Sequence, residues 1–216
     1  MSGPQLDHVV LATRSRADAD TAIGDLGLTA GSRRALPGTG LSNVVVAVGS
    51  QLLEIHHPDG SEVTPDAPPY GRIEQRVLAD RPDAFAAPVA WVLRLPTETA
   101  LRETAERLGY PVVEIPAEPP NNAGHLLTGL GANLDRPWLP IFMHWVAPPH
   151  VPPRLADATG EPPAGHLELE ISAPEDALRE WCPDLPDAVS VQPGRDGPLR
   201  VRIVLDDGTT HVLGGP

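Results

Sequence analysis

Lysine is missing from this 216-residue sequence: all 16 of its Lys-plus-Arg positions are arginine. Without a lysine amine the chain cannot form a Schiff base, hold pyridoxal phosphate, or grip a phosphate with the lysine of a Walker A loop. Neither a nucleotide nor PLP is therefore expected as cofactor. Cysteine is nearly missing as well. The single Cys182 excludes an internal disulfide, and the helical spacing of Leu178, Trp181 and Cys182 predicts a buried, inert thiol. Aromatic residues make up only 4 %, so a core must be built from Val, Leu, Ile and Ala. Positive charge is short too: 16 − 29 leaves −13, which opposes nucleic-acid phosphates and anionic membrane surfaces. No apolar run approaches the roughly 18 residues that span a bilayer, and the chain does not start with a basic region followed by an apolar stretch. The expectation is a cytoplasmic protein whose partners are small molecules or other proteins, with no nucleic acid and no membrane.

In excess are proline, with 27 residues, and glycine, with 20. The apolar fraction of 41 % suits a proper core, and the length allows one large domain or two small ones. Residues 6–13 read as a strand, and Ser15 opens a helix with Ala19, Ala22, Ile23 and Leu26 on one face and a stop at Gly27. Extended pieces follow near 28–32, at 42–48 and at 51–56, the last two joined by a turn at Gly49–Ser50. The same order then recurs: a strand at 89–95, a helix at 97–108 stopped by Gly109, and strands at 112–115, 125–130 and 139–146. The offset from Gly27 to Gly109 is 109 − 27 = 82, and it also pairs Leu26 with Leu108, Ile23 with Ala105 and Ala19 with Leu101. A third, shorter copy runs over 165–216: a strand at 166–172, a helix opened by Ser172 and Glu175 at capping-box spacing, and strands at 188–192, 199–205 and 210–213. The expected organisation is unit one at 1–58, unit two at 86–148, a third βαβββ-like unit at 165–216, and Pro-rich connectors at 59–85 and 149–164 that serve as linkers or lids.

A repeated βαβββ unit beginning LDHVV at residues 6–10 and closing QLLEI at 51–55, with PWLPIFMHW at 137–145 ending the second copy, resembles the vicinal-oxygen-chelate superfamily and its glyoxalase-like domain proteins. The resemblance implies an α+β fold in which the tandem repeats form one curved half-barrel sheet, and a cup that holds a divalent metal, Fe, Mn, Ni or Zn. Carried over residue by residue, the ligands are His8, Glu54 and His144. The fourth position falls on Ala90 or Trp91, neither of which binds metal, and this disfavours a glutathione-dependent glyoxalase I. Two imidazoles and a carboxylate would leave open positions for a bidentate substrate and make the metal a Lewis acid. The implied function is a metal-dependent isomerase, lyase or dioxygenase acting on a small oxygenated metabolite. Two alternatives stand beside it: a metal-free protein that binds a drug or natural product, and a structural or regulatory module.

Other residues fill out the expected site. Glu54 could itself be the general base, oriented by His8. His56 shares the face of Glu54 and is the reserve ligand, leaving His57 at the surface. Asn43 is a candidate polar contact, Trp91, Trp145 and Phe142 are candidate aromatic walls, and Arg34 with Arg33 could meet an anionic group of the substrate. Leu6 and Val10 are expected on the face of His8, and His125 and His150 in loops. In the third unit, His166, Glu168, Glu170 and His211 could complete a site, belong to a second barrel across a homodimer formed through edge strands, or make up a polar outer face.

Overall fold

The computed structural model describes residues 3–65, 70–116, 124–146, 165–194 and 200–214. Unit one folds as β1 (Gln5–Thr13), α1 (Arg16–Asp25), β2 (Arg33–Leu36), β3 (Thr39–Val48) and β4 (Gln51–Val63). After it comes α2 (Tyr70–Ala79), and unit two follows as β5 (Ala86–Arg94), α3 (Glu98–Leu108), β6 (Val113–Ile115), β7 (His125–Thr128), the short α4 (Leu130–Asp135) and β8 (Ile141–Trp145). The two helices that the offset of 82 had paired end alike. Gly27 and Gly109 both take positive φ, 64° and 71°, at the point where each chain turns back into the sheet. Their starts match as well, Ser15 and Thr97 each accepting a backbone N–H from the first turn.

Eight strands form one sheet in the order β2-β3-β4-β1-β5-β8-β7-β6. Each unit pairs its first strand in parallel with its last, β1 with β4 and β5 with β8, and the units join through the antiparallel β1–β5 pair. In that pair His8 faces Val92 and Val10 faces Ala90, so residues 82 apart exchange places about a pseudo-twofold axis near Val9 and Trp91. The result is the mixed α+β curled sheet that the resemblance implies. Side chains alternate between its faces. Val9, Leu11, Leu53, Ile55, Trp91 and Leu93 join α1, α3 and the third unit in the larger core, while Val10, Val92, Ile141, Met143 and Trp145 line the other face.

Three features depart from the sequence expectation. The connector read at 59–85 contains the end of β4 and the whole of α2, whose Tyr70, Glu74 and Leu78 fall on one helical face; the second connector lies outside the described residues. The third unit has the expected element order, β9 (Gly165–Ala173), α5 (Glu175–Trp181), β10 (Val189–Pro193), β11 (Arg200–Leu205) and β12 (Thr210–Gly214), but a different pairing. Its sheet runs β10-β9-β11-β12, with β9 parallel to β10, so the first strand never meets the last. Ser172 stays in β9, and the helix begins after Pro174 without a side-chain cap.

The third unit is fastened to the back of the large sheet. Gln51 donates to the carbonyl of Leu6 (3.2 Å) and accepts the N–H of Leu167 (2.6 Å), and the indole of Trp181 donates to the carbonyl of Pro140 (3.1 Å). Gly49, at φ 55°, makes the turn into β4 so close to Gly165 that an added Cβ would sit 2.1 Å from its carbonyl oxygen. Cys182 is buried beside this seam, its thiol pushed up to about 12, first by burial. His166 and Glu168 lie on the solvent side of β9, where Glu168 pairs with Arg202 at 2.7 Å, so this strand carries a polar outer face.

Candidate functional site

The curled sheet, closed on one side by α2, encloses a cavity of about 410 Å³. That is the size of a small-molecule site. Its walls are aliphatic, with Val10, Val45, Val89, Val92, Ile141 and Met143 among them, and a compact polar cluster interrupts them. A larger depression of about 740 Å³ lies on the other side of α2, but its charged lining is only Arg14 and Glu74. Arg14 is already committed there, donating to the carbonyls of Leu78 (2.9 Å), Arg81 (2.8 Å) and Ala84 (2.6 Å) and so fixing the C-terminal end of α2 against the sheet.

The polar cluster starts from a β-bulge. The pairing of β1 with β5 slips between Leu6 and His8, leaving Asp7 as the extra residue. Leu6 therefore drops into the core behind the sheet instead of sharing the face of His8. Asp7 is buried beside the imidazole: Nδ1 of His8 donates to its Oδ1 at 2.9 Å, the Trp145 indole to its Oδ2 at 3.2 Å, and Arg94 Nε stands 3.7 Å away. The free ring nitrogen of His8, Nε2, lies 3.4 Å from Oε2 of Glu54.

Glu54 is the centre of the arrangement. Its Oε1 lies 3.1 Å from Nε2 of His56 and accepts a short hydrogen bond from Asn43 Nδ2. His56 Nδ1 in turn donates to Glu74 Oε1 of α2 at 2.7 Å. One imidazole thus stands between two carboxylates. Burial opposes charge on His56, but the Glu54 and Glu74 carboxylates on either side outweigh it and raise the pKa to about 10, which favours the imidazolium at neutral pH. Burial likewise works against the Glu54 carboxylate, and His56, His8 and Arg34 overcome it and hold its pKa well below the usual carboxylate range. Tyr70, the first residue of α2, sits edge-on to His56 with ring centres 6.3 Å apart.

Of the expected site residues, His8, Asn43, Glu54, His56, Arg34 and Trp145 all line the cup. The structure does not bring His144, Phe142 or Trp91 there. On β8 the inward residues are Ile141, Met143 and Trp145, so His144 and Phe142 point to the back, where His144 Nδ1 donates to the carbonyl of Leu95 at 3.1 Å. Trp91 is fully buried behind the sheet, its indole donating to the carbonyl of Trp138 at 3.2 Å. His57 is buried and bonded to its neighbour's carbonyl, not at the surface. His125 is no loop residue: it lies in β7, buried, facing the cup edge-on to Trp145. His150 falls outside the described residues. Glu74, Tyr70 and His125, which line the cup, and Asp7, buried behind His8, are site residues that the sequence reading missed. For Glu74 a signal was present, in the i, i+4, i+8 spacing of Tyr70, Glu74 and Leu78.

A curled sheet built from two βαβββ units defines a fold class, and the comparison with known families agrees with that class. The profile of the glyoxalase-like domain family matches residues 6–185, and the chain belongs to that family. Among solved structures it is similar to a methylmalonyl-CoA epimerase from Mycobacterium tuberculosis, with 16 % identity over 64 % of this chain and 85 % of that one, TM-score 0.42. It is likewise similar to one from Streptomyces coelicolor in complex with 2-nitronate-propionyl-CoA, with 12 % identity over 68 % of this chain and 100 % of that one, TM-score 0.47. No curated protein matches the chain.

Members of this superfamily often bind a divalent metal, and the residues here can be tested against one. On the strands that match β1 and β4, unit two offers no ligand to the cup, since Ala90 and Ile141 occupy the positions of His8 and Glu54, and His144 lies on the back; its one inward imidazole among the described residues, His125, stands on β7. Among the described residues no three His, Cys, Asp or Glu side chains stand in a geometry that would hold a metal ion. The expected triad of His8, Glu54 and His144 does not fit.

Proposed function

We propose that this chain is an enzyme of isomerase or lyase type that moves a proton on a small oxygenated molecule bound in the cup, with Glu54 as base and His56 as its charged partner. The observation that supports this most is the Glu54 carboxylate set between the Nε2 atoms of His8 and His56, inside an aliphatic cavity. At rest the imidazolium spends its charge on Glu54 and makes it a weak base. A carbonyl oxygen placed against His56 changes this balance. As negative charge develops on that oxygen, the imidazolium turns toward it and the basicity of Glu54 rises just when the neighbouring carbon gives up its proton. Glu74 holds the ring in place from behind, and Asp7 does the same for His8. No step of this chemistry runs through a metal.

The test is deuterium exchange. A panel of enolisable ketones and oxo acids is incubated with the protein in D2O and followed by proton NMR, with and without EDTA. The expected result is exchange at a carbon next to the carbonyl of at least one compound, insensitive to EDTA and lowered about 100-fold or more by Glu54→Gln. Exchange lost on adding EDTA would return the chemistry to a metal. Binding across the panel without exchange would make the chain a metal-free binding protein, the reading that the aliphatic walls favour next.

A further inference from the structure

Arg34 and His125 reach the same cavity from its two opposite rims. Arg34 belongs to β2, one edge of the eight-stranded sheet, and His125 to β7, next to the other edge, and curling of the sheet brings both onto the cup. Their bonding states are unusual for buried or half-buried polar groups. The preceding residue, Arg33, is taken up by Asp20 on α1. The Arg34 guanidinium faces inward and forms no ion pair or hydrogen bond among the described residues. His125 is only 9 % exposed, and its Nδ1 is buried with no partner. Burial first, and then the charge of Arg34, push the pKa of His125 down to about 4, so at neutral pH the ring is uncharged and can offer an N–H without adding a second cation.

The cross-strand register fixes how these groups stand to the reactive cluster. Arg34 pairs with Asn43, and Asn43 with His56, in one row across β2, β3 and β4. Two strand spacings, about 9–10 Å at the backbone, therefore separate Arg34 from His56, and the long arginine side chain shortens the gap. Glu54 and Glu74 share the closer charge of His56, and Asp7 lies beside Arg94, so Arg34 acts on Glu54 only at longer range and keeps its hydrogen-bond donors for a ligand. We infer that Arg34 and His125 form an anion-binding pole and that the cup takes a short-chain oxo acid, its carboxylate held at this pole and its carbonyl at His56. This assignment of ligand class rests on the proton-transfer reading for the position of the carbonyl, but the pole itself can be tested by binding alone.

Calorimetry and thermal shift with C4–C8 oxo acids and their primary amides provide that test. The amide keeps the shape and removes the charge. At least one acid is expected to bind about tenfold or more tightly than its amide. Arg34→Gln should abolish the difference while leaving melting within a few degrees of wild type, Arg34→Lys should keep part of it, and His125→Gln should weaken acids more than amides. Amides binding as well as acids, or no acid binding at about 10 mM, would overturn the anion pole. Arg34-dependent acid binding without α-proton exchange would leave the pole standing and remove the catalytic reading; exchange on neutral ketones with no preference for acids would do the reverse.

Discussion

The two halves of the cup share one strand plan and almost none of their chemistry. In unit one the inward face carries His8, Asn43, Glu54 and His56. In unit two the residue 82 positions after His8 is Ala90. Glu54 has Val10 as its ladder partner; the counterpart of Val10 is Val92, whose own ladder partner on β8 is Ile141. The positions of His8 and Glu54 are thus aliphatic in the second half, and its one inward imidazole among the described residues, His125, stands nearer the rim, in β7. A duplicated scaffold evidently does not require duplicated chemistry. The aliphatic half has its own physical effect, because a wall that excludes water lowers the local dielectric and strengthens the interactions of Glu54 and His56 across from it.

The contrast can be broken most forcefully by writing the chemistry of unit one into unit two. Ile141→Glu places a carboxylate at the twin of Glu54 without an imidazole beside it, since Ala90 and not a histidine is its neighbour across the pseudo-twofold. An unpaired charge in that wall should cost about 3–5 kcal/mol of stability. The introduced carboxyl has its folded pKa raised above the unfolded value, so the penalty belongs to the ionised form and should shrink as pH falls toward 4. Urea unfolding at pH 8 and pH 5 measures both. A loss under about 1 kcal/mol at pH 8 would mean that the second half is wetter or more yielding than its lining indicates.

A smaller effect probes the polar half itself. His56 has a folded pKa raised to about 10 against an ordinary 6.5, so its contribution to stability is fully present below about pH 6.5 and is lost as pH rises through about 10. Glu54 is shifted the other way: its contribution is present above the ordinary carboxylate value of 4.5 and is lost as pH falls through its lowered folded pKa. As far as this pair decides it, stability should therefore be highest between about pH 4.5 and 6.5 and should fall steadily from there toward pH 10. Glu74→Gln removes one of the two carboxylates holding the imidazolium, costs about 1–3 kcal/mol at pH 7, and brings the alkaline limb to lower pH. Denaturation midpoints across the range, wild type against variant, show whether the limb moves; an unmoved limb assigns the alkaline loss to other groups.

Much of this arrangement could be read in the sequence, and where it could not, the obstacle is a parity or a pairing. The offset of 82 gave the repeat, the glycine stops gave the helix ends, and alternation along QLLEIH put Glu54 and His56 on one face. The same alternation failed at Asp7, because a bulge adds one residue and puts two neighbours on one side. It failed again on β8, where a frame displaced by one residue exchanges Met143 for His144 and sends every side chain to the other face. The prolines around α2 hid a helix that contributes Glu74 and Tyr70 to the cup. The order of elements in the third unit matched the repeat, but element order does not carry strand pairing, and its β9–β10 parallel pair has no counterpart in the first two units.

The smallest expected effect decides between the two frames on β8. His144 is half-buried on the back of the sheet, with Nδ1 bonded to the Leu95 carbonyl, while Met143 and Trp145 on either side of it face the cup. If that frame holds, His144→Gln keeps a hydrogen-bond donor near Leu95, costs less than about 1 kcal/mol, and leaves oxo-acid affinity, α-proton exchange and metal content where they were. Met143→Gln, one residue away, puts an amide into the aliphatic wall and should weaken ligand binding by about tenfold. Calorimetry on the two variants side by side reads the difference directly. Were His144→Gln to abolish binding and Met143→Gln to spare it, β8 would have to turn over, His144 would rejoin His8 and Glu54, and the metal triad that the resemblance implies would be restored.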